Sequence, residues 1–93
     1  MIRSLNCVET EGVFRLTRSR RLPGDIQAIA LRKLRMLDAA VSVEDLRIPP
    51  ANRLEKLAGK RKGQWSIRIN DQWQFCFRWN GKDASDVEIV DYH

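Results

Sequence analysis

Gln64–Trp79 reads QWSIRINDQWQFCFRW, and the parity of this stretch decides the fold. Ahead of Asn70-Asp71-Gln72 the odd positions Trp65, Ile67 and Ile69 are apolar, and the even positions Gln64, Ser66, Arg68 and Asn70 are polar. Behind it, Trp73, Phe75, Phe77 and Trp79 alternate with Gln74, Cys76 and Arg78. A period of two with one apolar face is the signature of a strand, and two such runs in succession predict a hairpin. Residues directly opposite each other in an antiparallel pair must share a face. A two-residue Asn70-Asp71 turn would set Ile67 against Gln74 and mix the faces, so the connection must hold an odd number of residues, most simply Asn70-Asp71-Gln72. That register sets Trp73 opposite Ile69 and Phe75 opposite Ile67. On the other face, Arg68 opposes Gln74 and Ser66 opposes Cys76.

Working outward, Asn80-Gly81 opens a second turn in a loop running to Asp86, and Val87–Tyr92 reads as a last strand. Upstream, Asn52–Leu57 reads as another strand, with Leu54 inward, and Gly59–Gly63 as a loop flanked by glycines. Ile26, Ile29, Ala30, Leu34, Leu37 and Val41 fall on one helical stripe, widened by Leu31 and Met36, with Arg32 and Arg35 facing away. Asp25 reads as the N-cap of this helix, and Ser42–Asp45 as a second cap. Residues 9–17 read as a shorter helix, with Val13, Phe14 and Leu16 apolar, and residues 1–8 as an opening strand. Together these predict an α+β fold. An N-terminal strand and a two-helix hairpin pack on one face of a mostly antiparallel sheet of about four to five strands. The face carrying Arg68 and Gln74 is expected to be polar and open.

The chain has 93 residues, 43% hydrophobic and 31% charged, which predicts one globular domain over 1–93 and not a disordered tail. No apolar run approaches the roughly 18 residues that span a bilayer, and no leader opens the chain, so a cytoplasmic location without membrane contact is expected. Cys7 and Cys76 stand far apart with no Cys/His cluster, which predicts no metal site and no cofactor. The net charge of +5 favours polyanionic partners such as nucleic acid.

Two groups of residues carry candidate chemistry. Lys60, Arg61 and Lys62 adjoin Arg68 on the neighbouring strand, and cations on a sheet face suit phosphate oxygens. The tryptophans beside them fall on the apolar face and read as core. The chain ends in Asp91-Tyr92-His93, with the sequence's one histidine last. His93 is suited to proton transfer near neutral pH, Tyr92 to stacking on a base, and Asp91 to orienting an imidazole. RNA cleavage needs a base for the 2′-hydroxyl, cations for the phosphorane and a proton for the leaving oxygen. The two groups can supply all three if they face one cleft. No Gly-rich phosphate loop or nucleophile elbow is present.

The run NRLEKLAGKRKGQWSIRINDQW, from Asn52 to Trp73, and the ending VEIVDYH resemble HigB-type toxins of the RelE/ParE toxin–antitoxin superfamily, also called plasmid maintenance killer proteins. The opening MIRS, the helix ALRKLRMLDAA and the segment DLRIPPANRL fit as well, so the resemblance spans almost the whole chain. It implies a RelE-like fold and a ribosome-dependent mRNA endoribonuclease that enters the 70S A site, beside 16S rRNA, and cuts the bound codon. It implies 2′-hydroxyl attack without a metal. It also implies a helix-turn-helix antitoxin of the HigA type, through which alone the toxin meets operator DNA. Catalytic and mRNA-ordering roles fall on Asp91, Tyr92 and His93, and the basic loop on Lys60, Arg61 and Lys62. Arg68 lies on the strand that carries active-site residues in the family.

Two positions depart from the family pattern. Gln74 stands where the family carries an arginine expected to hold the scissile phosphate, and Lys60 stands where it carries an aspartate. Gln74 implies an attenuated toxin unless Arg61, Lys62 or Arg78 compensates. A gyrase inhibitor of the ParE type is the alternative, and the terminal Asp-Tyr-His argues for RNA instead. A catalytically silent RNA- or antitoxin-binding module is the third reading.

Overall fold

A computed structural model describes residues 1–6, 10 and 24–91. The expected first helix, 9–17, apart from Thr10, and residues 7–8 of the expected opening strand lie outside the described residues. The described part is α+β: one α-helix, α1 (Gly24–Ala39), followed by a four-stranded antiparallel sheet. The strands are β1 (Glu55–Lys56), β2 (Gln64–Arg68), β3 (Trp73–Trp79) and β4 (Ala84–Asp91), and they neighbour one another in chain order.

The hairpin register is the one parity demands. Ile67 pairs with Phe75, Arg68 with Gln74 and Ser66 with Cys76. Ile69 donates its N–H to the Trp73 carbonyl at 2.9 Å, so Asn70, Asp71 and Gln72 form the connection. The Asn70 side chain builds that turn by accepting the N–H groups of Gln72 (2.9 Å) and Trp73 (2.8 Å). Asn80 repeats the device, accepting from Lys82 (3.2 Å) and Asp83 (2.8 Å). The second turn is therefore tight, and β4 begins at Ala84 and not at Val87 as the sequence suggests. A register shift between Cys76 and Arg78, with Asp86 at φ 51, lets the early start coexist with the pairing of Phe75 and Ile89.

The core lies between the odd-numbered face of the sheet and α1. Ile26, Ala30, Leu34 and Leu37 of the helix meet Ile67, Phe75, Phe77 and Val87 of the sheet. Trp65, Trp73 and Trp79 pack against this core half-buried, as the alternation predicts. Three expectations are corrected here. The helix already includes Gly24, so Asp25 lies in its first turn and not at its cap. Val41 is 76% exposed because the helix ends at Ala39, and Asp45 takes the N–H groups of Val41 and Ser42 instead. The strand expected over Asn52–Leu57 shrinks to Glu55–Lys56, because Asn52 closes a short 3-10 turn and Arg53 follows in the left-handed region. The Ser42–Asp45 cap does form, and it opens a 3-10 helix over Val43–Arg47.

The helical stripe also carries a lysine. Lys33 stands three residues after Ala30 and four before Leu37, and it is buried at 8% exposure. Its ammonium donates to Oδ1 of Asn52, itself fully buried, whose amide donates to the Leu46 carbonyl at 3.1 Å. This pair ties α1 to the turns that lead into the sheet.

Residues 1–6 run beside β4 through two parallel bridges, Ile2 with Ala84 and Leu5 with Val87. Buried Asp83 accepts from Arg3 Nε at 2.8 Å and pairs with the Met1 ammonium at 3.2 Å. The Arg3 hydrogen bond, ahead of the other influences, holds the Asp83 carboxyl below the usual range. Among the described residues no helix is long and apolar enough to cross a membrane.

Candidate nucleic-acid interface

The polar face of the sheet gathers most of the basic residues singled out above. Arg68 leaves β2 on the face opposite the core, directly across from half-buried Gln74 on β3. Its Nε donates to the Asn70 carbonyl at 3.1 Å, and its Nη2 pairs with the Asp71 carboxylate. Arg61 reaches over the sheet from a 3-10 turn, Gly59–Arg61. Its Nη1 donates to Gln64 Oε1 at 3.0 Å and to Glu88 Oε1 at 2.7 Å. Arg78 is exposed on β3, with its Nε 3.5 Å from Asp86 Oδ2.

Gly63 lets the basic loop turn close beside the Arg78 side chain of β3. Its φ of +90 suits glycine, and a Cβ there would stand 3.1 Å from the Arg78 guanidinium. Lys60 and Lys62 are exposed and form no ion pair among the described residues.

This face is less open than the sequence suggests. Ser66 and Cys76 lie buried in its centre, at 2% and 0% exposure, beneath the Arg61–Glu88 bridge. Burial pushes the Cys76 thiol up, with Arg61 opposing and Glu88 adding to the shift. The Glu88 hydrogen bond holds the Arg61 guanidinium firmly charged.

Three arginines on one face, Arg61, Arg68 and Arg78, are therefore each held by a carboxylate: Glu88, Asp71 and Asp86. A guanidinium parked on a carboxylate that water reaches is oriented and charged, and phosphate oxygens can take the carboxylate's place. The countercharges were not singled out from sequence. The spacing of Arg68 and Asp71, three apart across a turn, is a signal that could have found one of them.

Asp91 is the last residue of β4 and pairs with Trp73, so it shares the parity of Trp73 and not that of Arg68. It accepts from Gln72 Nε2 at 3.2 Å. Tyr92 and His93 lie outside the described residues. Among the described residues the Lys56 ammonium stands 5.7 Å from the ring centre of Trp65, and neither belongs to the basic loop. An open cleft of about 420 Å³ flanks Arg68 on the β1 side, lined by Arg53, Glu55, Arg68 and Asp71.

A family model described as the RelE-like toxin of type II toxin–antitoxin system HigB matches residues 13–93. The chain belongs to the HigB-like toxin family. Toxin HigB-1 of Vibrio cholerae serotype O1 is 50% identical over 62 residues, covering 67% of this chain and 65% of that protein. An uncharacterized protein of Haemophilus influenzae is 34% identical over 69 residues, covering 74% of this chain and 68% of its own length. Endoribonuclease HigB of Proteus vulgaris is 31% identical over 61 residues, covering 66% of this chain and 65% of the relative. The chain thus spans somewhat less than two thirds of the length of the Vibrio and Proteus relatives. The family match covers the entire hairpin and the polar face built on it.

Proposed function

We propose that this chain is the toxin of a type II toxin–antitoxin pair and acts as an mRNA endoribonuclease in the cytoplasm. The observation that carries this reading is the row of carboxylate-held arginines, Arg61, Arg68 and Arg78, on one sheet face of a HigB-like chain. The name of the Proteus relative, an endoribonuclease, supports the same chemistry. In this proposal the phosphate at the cut lies over Arg68 and Gln74, with Lys60, Arg61, Lys62 and Arg78 holding the flanking backbone. The 2′-hydroxyl attacks that phosphate without a metal, closing a 2′,3′-cyclic phosphate as the bond to the 5′-oxygen breaks and that leaving oxygen takes up a proton. His93 moves a proton, Asp91 orients it and Tyr92 stacks on a base. The substrate is mRNA in the ribosomal A site. A HigA-type antitoxin neutralises the toxin and carries it to operator DNA. The proposal includes a single domain over 1–93, with residues 9–17 completing a two-helix hairpin and residues 1–8 an opening strand.

Gln74 favours a weakened form of this enzyme. The position across from Arg68 holds a neutral amide, and the arginine expected there would stabilise the charge that develops on phosphorus. The test incubates the chain, and its His93→Ala variant, with ribosomes programmed with a defined mRNA, and maps the new RNA ends. The expected result is cleavage in the A-site codon that His93→Ala reduces at least tenfold. Intact mRNA at stoichiometric toxin would sink the nuclease reading.

A further inference from the structure

Arg53 is the one arginine among the described residues with left-handed backbone geometry, at φ 45 and ψ 57. Glycine and asparagine occupy such positions readily, and a residue with a long side chain is disfavoured there. The backbone needs this conformation: the Arg53 N–H closes the preceding 3-10 turn on the Pro50 carbonyl at 3.0 Å, and Glu55 then enters β1. The side chain is not needed for packing, since Arg53 is exposed and its guanidinium pairs with no carboxylate among the described residues. A strained position that keeps a free guanidinium points to a ligand for that guanidinium.

The cleft supplies the place. Arg53 and Arg68 both line it, with Glu55 and Asp71. Arg68 is 25% exposed and is anchored to the Asn70 carbonyl, whereas its partner Asp71 is 96% exposed. An anion entering the cleft can therefore displace the Asp71 carboxylate into water while Arg68 stays aimed. We propose that Arg53 and Arg68 form a phosphate subsite for the backbone of single-stranded RNA, with Asp71 as the carboxylate that the phosphate replaces. The subsite rests on the reading of this chain as an RNA-cutting toxin, and lies on the β1 side of Arg68, away from Gln74 and Arg78. It adds Arg53 to the residues that hold RNA and makes Asp71 a positioning residue.

The test measures binding of a short, fluorescein-labelled, single-stranded 2′-O-methyl RNA by anisotropy, as a function of salt, together with each protein's thermal midpoint. Arg53→Gly is the informative variant, because glycine relieves the backbone while removing the charge. It should keep or raise the thermal midpoint, weaken RNA binding about tenfold and flatten the salt slope by about 0.7, the loss of one phosphate contact on a single strand. Arg53→Lys should keep the slope. Asp71→Asn, which frees Arg68, should tighten binding several-fold and steepen the slope. Wild-type affinity and slope in Arg53→Gly would overturn the subsite. So would a marked fall in its midpoint, which would make Arg53 a structural residue. Unchanged binding in Asp71→Asn would overturn the exchange. A wild-type protein that cuts mRNA on ribosomes yet binds no such RNA overturns this inference and leaves the nuclease reading standing.

Discussion

Ile67 and Phe75 face each other on one side of the β2–β3 hairpin with no exposed surface; one residue along, on the other side, Arg68 and Gln74 face each other half-buried. The two pairs share the same backbone ladder. What differs is what stands above them. Over the first lies α1, whose Ala30, Leu34 and Leu37 are fully buried. Over the second lie charged side chains, each arginine matched to a carboxylate that water also reaches. Burial of apolar surface holds the fold together, whereas half-exposed ion pairs contribute little to stability and can be exchanged for a ligand.

The contrast breaks first at Phe75. Phe75→Ala should cost about 3–5 kcal/mol, read as the midpoint of urea unfolding, because the site is central and fully enclosed. A cost near that of a surface substitution would show that the helix–sheet layer is not what holds the fold. On the other face, Gln74→Arg should leave stability nearly unchanged and raise ribosome-dependent cleavage about a hundred- to a thousand-fold, the usual value of one charge-stabilising donor. Equal cleavage by the two proteins would mean that Arg61, Lys62 or Arg78 already supplies the missing charge.

Lys33 sharpens the comparison because it is a polar exception on the apolar side. Asn52→Leu should cost about 1–3 kcal/mol, since it strands a buried ammonium and removes the link to Leu46. Burial first, and then Arg32, hold Lys33 below its ordinary pKa. The charged form is therefore disfavoured in the folded chain. The resulting loss of stability is full below the folded pKa, and it is relieved as pH rises through that value toward the unfolded one. Lys33→Met should abolish this gain, so the stability of the wild type relative to Lys33→Met should rise at alkaline pH. A constant difference across pH would show that Lys33 titrates as an exposed lysine does.

The hairpin was legible because burial on one face enforces parity, and parity fixes which residues can oppose one another. Arg68 opposite Gln74 follows from that reasoning alone, and it is the pair on which the candidate site is built. Three features were not legible, each for a physical reason. Lys33 has the spacing of a core residue but not the polarity, so a reading by hydrophobic period passes over it. Arg53 ends the preceding turn in left-handed geometry, for which arginine gives no sequence signal, and so the strand expected from Asn52 starts only at Glu55. The face of Ala84 depends on the irregularity at Asp86, which shifts the early part of β4 against β3 and sets even-numbered, buried Ala84 opposite Trp79.

The smallest expected effect lies at the Arg61–Glu88 bridge beside Cys76. The partners are 36% and 24% exposed, so water competes for both charges and the pair should contribute no more than about 1 kcal/mol. Glu88→Gln keeps the shape and an acceptor oxygen for Arg61 and removes only the negative charge. Its unfolding free energy should change by a few tenths of a kcal/mol, far less than that of Phe75→Ala, although Glu88 and Phe75 lie on adjacent strands of one sheet. The Cys76 thiol should respond more clearly. Burial raises it and Glu88 adds to that rise, while the Arg61 cation opposes it. With Glu88 neutralised, the Arg61 charge acts on the thiol alone, and the pH at which the thiolate forms should fall. Titration of the thiolate absorbance in a variant that keeps Cys76 as its one cysteine, Cys7→Ser, measures this directly. A large loss of stability with no change in the thiol would mean that the bridge holds the fold, as the core does, and is not available for exchange with phosphate.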